Sequence, residues 1–273
     1  MTRIALLQMC SDIDPAVNAP VLVEAIERAA GRGARMLFTP EMAGMLDRDR
    51  SRAAGKIVTE DADPVLAAVR QAAAANGLWV ALGSLPVARR DGRWANRSLV
   101  VDSRGEVVAR YDKIHMFDVT LETGESWRES ASYEPGERAV ALDTPLGKLG
   151  LTVCYDLRFP ALFQELGRHS CDLIAIPSAF TVPTGKAHWH LLQRARAIEA
   201  SAYVVAAAQV GDHADGRRTY GHSLVVDPWG EVVLDMGGGA PGLGFAEIDP
   251  ERIATTRMQL PSLANRRDIA QSR

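Results

Sequence analysis

Arg97-Ser98-Leu99-Val100-Val101-Asp102-Ser103-Arg104-Gly105-Glu106-Val107-Val108 returns later in the chain as His222-Ser223-Leu224-Val225-Val226-Asp227-Pro228-Trp229-Gly230-Glu231-Val232-Val233. Each copy reads as an apolar strand, a tight turn in which glycine supplies the permissive conformation, and a returning strand. The upstream runs correspond too, Leu78–Gly83 with Tyr203–Ala208 and Met36–Pro40 with Ile174–Ser178. The chain therefore reads as two similar α-β halves divided within Glu137–Leu146, a segment without Ser/Gly-rich character that looks like a connection inside one domain. Two sheets, each covered by helices on one side, bury their remaining faces by stacking on each other. The expected fold class is α/β: one four-layer α-β-β-α domain over 1–273, with its core at about 4–250.

Further strand-like runs at Ile4–Gln8, Arg35–Thr39, Lys148–Val153, Leu173–Pro177 and Gly244–Ile248 fit this plan, as do helical stretches at Ala16–Ala30, Pro64–Ala75 and Ala187–Ser201. The 273 residues, 47% hydrophobic and 24% charged, suffice for a large core. A net charge of −3 gives no electrostatic reason to expect nucleic acid as a partner. Three cysteines, Cys10, Cys154 and Cys171, are too few and odd in number for a disulfide framework and fit a reducing compartment. No apolar run approaches the ~20 residues of a membrane span. The apolar start Ile4–Leu7 is too short for a signal peptide and reads as a first strand. The expectation is a cytoplasmic protein without membrane or nucleic-acid partners, with Cys10 and Cys171 in the core.

Three chemically active residues fall just past strand ends: Glu41, Lys113 and Cys154. Strand ends are where α/β proteins gather their sites. Cys154 follows the apolar run Leu149–Val153 and precedes Arg158-Phe159-Pro160, which opens a helix with proline in the first turn. Backbone N–H groups and a helix dipole at such a junction are expected to favour a thiolate. A thiol needs a base, which Glu41 can supply, and a tetrahedral oxyanion needs a cation, which Lys113 can supply, with the N–H of Tyr155 as a second donor. His188 and His190, two apart on a helix, diverge and are not expected to form a metal pair. Gly237-Gly238-Gly239 lies in a turn between strands and does not read as a phosphate loop.

Thr39-Pro40-Glu41-Met42, Tyr111-Asp112-Lys113-Ile114-His115 and Val153-Cys154-Tyr155-Asp156-Leu157-Arg158-Phe159-Pro160 together resemble the three signature blocks of the nitrilase superfamily of carbon–nitrogen hydrolases, in family order. The resemblance runs from about Ile4 to Asp268. It implies the four-layer sandwich, dimerisation into a homodimer or higher even oligomer with 251–273 at the interface, and no cofactor or metal. The family's catalytic Glu, Lys and Cys map to Glu41, Lys113 and Cys154. Its frequent second glutamate maps to Glu129, in Arg128-Glu129-Ser130.

Pro177-Ser178-Ala179-Phe180, Arg194-Ala195-Arg196-Ala197-Ile198-Glu199 and Tyr220-Gly221-His222-Ser223 are similar to the branch containing deaminated glutathione amidase and omega-amidase. That resemblance implies a small ω-amide substrate with an α-keto acid end, deaminated glutathione or 2-oxoglutaramate. Arg158 is the guanidinium expected to hold the keto-acid carboxylate, unless Asp156 or Glu165 pairs with it. A nitrilase or N-carbamoyl-amino-acid hydrolase would use the same three residues, and a catalytically silent binding member is the alternative outside enzymes. Two departures from the branch stand out: Ala161 where glutamate is usual, and the ending Arg266-Arg267-Asp268-Ile269-Ala270 in place of Leu-Tyr.

Overall fold

Asp102 and Asp227 fold the two copies of the repeated segment in the same way. Asp102 Oδ1 accepts from the N–H groups of Arg104 and Glu106, and Asp227 Oδ1 accepts from those of Trp229 and Glu231. Gly105 and Gly230 close the turns with φ of 80° and 89°, in the left-handed region that favours glycine. Even the irregularities repeat, with register shifts at Val100/Val101 and at Val225/Val226.

The computed structural model describes residues 1–122, 124 and 126–267. The first half runs β1 (Thr2–Gln8), α1 (Pro15–Gly31), β2 (Met36–Phe38), α2 (Arg50–Ala54), α3 (Pro64–Asn76), β3 (Trp79–Ala88), β4 (Trp94–Val101) and β5 (Val107–Asp112). A small hairpin, β6 (Asp118–Thr120) and β7 (Ser126–Arg128), then leads to β8 (Val140–Thr144). The second half continues β9 (Gly147–Leu151), α4 (Pro160–Arg168), β10 (Leu173–Ala175), α5 (Val182–Ala200), β11 (Tyr203–Ala206), β12 (Val210–Asp212), β13 (Arg218–Tyr220), β14 (Leu224–Val226), β15 (Val232–Asp235), β16 (Gly242–Ile248) and α6 (Pro250–Gln259).

The two six-stranded sheets are ordered β16-β1-β2-β3-β4-β5 and β8-β9-β10-β11-β14-β15. Strand directions match position by position. β1, β2 and β3 run parallel, as do β9, β10 and β11, and every other neighbouring pair is antiparallel. Alternation along β1 shows the layering. Ile4 and Leu6 join the core between the sheets, whereas Ala5 and Leu7 pack with Leu22, Ile26, Val65 and Val69 of α1 and α3. Phe163 and Trp189 of α4 and α5 cover the second sheet. The result is the four-layer α-β-β-α sandwich with two similar halves.

Glu137–Leu146 is more than a connection. Its Val140–Thr144 stretch forms β8, an edge strand antiparallel to β9, half-exposed and therefore without a strong apolar signal. The outer strand of the first sheet comes instead from the end of the chain, since β16 crosses back to pair with β1. Helix α5 starts earlier than the expected Ala187, because Pro183 falls in its first turn, where a missing N–H is tolerated. Cys171 is buried, but Cys10 is exposed: β1 ends at Gln8, and the chain has left the sheet by Cys10. No helix among the described residues is long and apolar enough to cross a membrane. Asp268, Ile269 and Ala270 lie outside the described residues.

Candidate active site

The loop after β2 is stitched to β3. Thr39 N–H donates to Ala81 O, Gly83 N–H to Thr39 Oγ1, and Met42 N–H to Ser84 Oγ. Gly83 is required here, because a Cβ would overlap the carbonyl oxygens of Thr39 and Pro40. Buried Gln209 crosses from the second half to donate to Glu41 O. This holds Glu41 at the seam between the sheets, followed by Met42 at φ 56°.

Cys154 opens a 3-10 turn, Cys154–Arg158, between β9 and α4, with its N–H on Pro177 O at 2.9 Å. Its φ of 49° is unusual for a side-chain-bearing residue, and such strain persists only where surrounding contacts enforce it. One enforcing contact comes from Asp156, fully buried, which accepts from Val153 N–H, Tyr111 OH and His115 N–H, with His115 Nδ1 at 2.7 Å. Tyr111 and His115 flank Lys113 on either side, so a single carboxylate joins the lysine segment to the cysteine turn.

Glu41, Lys113, Glu129 and Cys154 meet in one place. Lys113 Nζ lies 3.0 Å from Glu41 Oε1 and 2.8 Å from Glu129 Oε2. Asn96, on β4, donates its amide to Glu41 Oε1 at 2.9 Å and to Glu129 Oε1 at 3.0 Å. Glu41 Oε2 accepts from Ala179 N–H at 2.9 Å, and Glu129 Oε2 accepts from Phe117 N–H at 2.7 Å. Cys154, 8% exposed, faces the same cluster, where the Glu41 and Lys113 charges act on its thiol.

Burial acts to raise the Glu41 carboxyl, but Lys113 and the hydrogen bonds from Cys154, Lys113 and Asn96 overcome it and hold the group below its ordinary value. Burial acts to lower Lys113, and Glu129 and Glu41 overcome it, leaving the ammonium well above its usual range. For Cys154, burial and then the Glu41 charge push the thiol well up, with Lys113 opposing only in part. The expected thiolate-favouring junction is not realised. The helix proper begins only at Pro160, and burial beside a carboxylate dominates. The resting arrangement is a thiol beside a carboxylate and an ammonium.

These groups line a cavity of about 810 Å³. Among the described residues its wall carries Arg48, Arg50, Arg128, Arg158, Arg217, Arg218 and Lys113, against the carboxylates Glu41, Asp47 and Glu129, so it is cationic. Phe117, Trp127, Tyr155 and Phe180 supply apolar surface. Tyr155 adjoins Cys154. Arg158 stands in the 3-10 turn rather than on α4. Its guanidinium lies over the rings of Phe180 and Tyr155, 5.4 and 5.8 Å from their centroids, with Nη1 3.3 Å from His188 Nδ1. The carboxylates weighed as its partners are engaged elsewhere, Asp156 as above and Glu165 with Arg168. His188 and His190 do diverge, toward Arg158 and Asp235. Ala161 is exposed on the first turn of α4. Asn96 and the clamping role of Asp156 were not legible in the chain, since both arise from pairing between distant segments.

The fold and the site together define a carbon–nitrogen hydrolase, and the chain belongs to that family, whose pattern it matches over residues 3–258. It is 40% identical over 271 residues to the deaminated glutathione amidase of Yersinia enterocolitica, covering 98% of this chain and 94% of that protein. The crystal structure of the C. elegans NitFhit protein superposes with a TM-score of 0.90 at 38% identity, covering 97% of this chain and 65% of the longer NitFhit chain. The amidase from Nesterenkonia sp. AN1, in an E41Q mutant with acrylamide added to its active-site cysteine, gives a TM-score of 0.80 at 27% identity over 96% of this chain and 98% of that one.

Proposed function

We propose that this carbon–nitrogen hydrolase is a thiol-dependent amidase acting as a single domain on deaminated glutathione, which it cleaves to 2-oxoglutarate and cysteinylglycine. Glu41 takes the Sγ proton as Cys154 attacks the amide carbonyl. Lys113 and the Tyr155 N–H stabilise the oxyanion, a donor of this kind contributing about 3 kcal/mol. The amine leaves with the proton from Glu41, giving a thioester on Cys154. Water held between Glu41 and Glu129 then attacks it, releasing the acid and restoring the thiol. The cycle consumes one water and uses no metal or cofactor.

The observation that carries the substrate is the distribution of positive charge along the cavity. Arg158 stands beside Tyr155 and Phe180, while Arg48 comes from the loop after β2 and Arg217 and Arg218 from the entry to β13. Asp215 ties Arg48 to Arg217, accepting from the Arg48 N–H and pairing with the Arg217 guanidinium, and Arg218 pairs with Asp212. Deaminated glutathione carries a carboxylate at each end, one on the keto acid and one on the terminal glycine, and so can engage arginines from both segments of the wall. 2-Oxoglutaramate has one carboxylate and leaves one of these arginine groups unused. The names of the related amidases agree with this reading. Comparing kcat/KM on deaminated glutathione, 2-oxoglutaramate and an N-carbamoyl amino acid tests it. Deaminated glutathione should lead by roughly tenfold or more, as expected for one added charge-assisted contact; a lead for either competitor overturns the assignment.

The same reading places the enzyme in the cytoplasm as an even-numbered homo-oligomer. Exposed Met258 of α6 and Leu260 just beyond it offer apolar surface for pairing through the C-terminal segment.

A further inference from the structure

Outside the cavity, three ligand-type side chains from separate elements converge: His190 on α5, His222 just before β14, and Asp235 at the end of β15. We propose that His190 Nε2, His222 Nδ1 and the Asp235 carboxylate form a binding site for one divalent transition-metal ion of the zinc class, with a fourth position left to water. None of the three lines the cavity that holds Cys154, so the ion takes no part in amide hydrolysis.

The candidate ligand atoms all lie within 4.8 Å of one another. Asp235 Oδ2 is 2.9 Å from His190 Nε2, and Oδ1 is 3.0 Å from His222 Nδ1. The two imidazole planes stand at 78° with centroids 5.0 Å apart, so the nitrogens approach the carboxylate from different directions. Zinc bonds of about 2.0–2.1 Å in tetrahedral geometry need ligand atoms a little over ~3 Å apart, within reach of a rotation of the half-exposed His190.

The positions of these groups are also fixed from behind, as metal ligands require. His222 adopts φ 55°, its carbonyl accepts from Trp189 Nε1 at 2.8 Å, and Tyr220 stacks on its ring at 4.4 Å. Gly237 N–H donates to Asp235 Oδ1 at 2.9 Å, which orients the carboxylate. Gly238 leaves room for the His222 ring, since a Cβ there would stand 3.2 Å from Nε2. Two imidazoles and one carboxylate favour zinc, cobalt or nickel over magnesium or calcium, which demand oxygen-only shells.

The probe is CoCl2 titrated into the full-length, chelator-treated protein, followed by visible absorption and then by displacement with ZnCl2. One equivalent should bind with a nitrogen–oxygen spectrum. His190→Ala and Asp235→Asn should each weaken binding by roughly tenfold or more, while their amide turnover and thermal midpoint without metal stay at the wild-type level. Cys10 Sγ lies 3.6 Å from His213 Nδ1 and is the rival site, so Cys10→Ser should leave cobalt binding intact. Unchanged affinity in both ligand variants, a thiolate-to-cobalt charge-transfer band lost in Cys10→Ser, or no saturable binding below about 1 mM each overturns the site, leaving a His–Asp–His hydrogen-bonded cluster.

Discussion

The amide nitrogen of Asn96 sits 2.9 Å from Glu41 Oε1, while the carbonyl of the same side chain is buried with no partner among the described residues. Its Nδ2 also serves Glu129 Oε1, so both protons of one amide are committed to carboxylates. Turning the amide over would press its oxygen against two anions. An unpartnered buried carbonyl costs about 1–3 kcal/mol, a loss set against the placement of Glu41 and Glu129.

Asn96→Ala is accordingly expected to lower kcat by roughly tenfold to a hundredfold with little change in KM, as for partial loss of acid–base catalysis. With one donor gone, the Glu41 carboxyl rises, and the acid limb of the rate profile moves to higher pH. Unaltered kcat and an unmoved acid limb would show that Asn96 only fills space.

With Glu41 as the proposed base, turnover needs its carboxylate charged, and the carboxyl is held low. The acid limb of kcat/KM should therefore lie below ~4.3, the value of a free glutamate. Lys113 and Cys154 are both displaced upward, so their titration should not curtail the rate between that limb and the ordinary thiol range near ~8.5. A pH–rate series in a mixed buffer of constant ionic strength checks this; a limb near neutrality would mean that some other group is the base.

Asp156→Ala should destabilise the protein and silence it together. The change strips the acceptor from Val153 N–H, Tyr111 OH and His115 N–H, each worth about 1–3 kcal/mol when left buried and unmade. A urea midpoint close to that of the wild type would remove the clamp from the account.

Arg158→Ala should weaken every keto-acid amide, raising KM by roughly tenfold or more. Arg48→Ala should instead penalise deaminated glutathione while sparing 2-oxoglutaramate, which has no second carboxylate. Equal losses on both substrates in Arg48→Ala would place the leaving group elsewhere.

The layered fold was legible because the Asp102 and Asp227 turns repeat a local pattern, and local patterns survive in a linear chain. Edge strand β8 was not, because Val140–Thr144 is half-exposed and carries little periodicity. Glu41, Lys113 and Cys154 were recognisable as a set by their positions after strands. The positive φ of Cys154 and the upward displacement of its thiol were not, since both depend on burial against partners from the other half. Arg158 could be named in advance, but its release from Asp156 depended on a pairing with Tyr111 and His115 that only the folded chain reveals. Cys10 illustrates the opposite limit: an apolar neighbourhood in sequence did not place it inside.

The central claim is that Cys154 is the nucleophile, activated by Glu41. Its most direct test is the turnover of deaminated glutathione by Cys154→Ala, alongside the thermal midpoint of the same preparation. A loss of more than about 10⁴-fold in kcat is expected, with the midpoint unchanged or raised, because a buried thiol beside a carboxylate is not a stabilising contact. Turnover within tenfold of the wild type in a folded Cys154→Ala protein would contradict it.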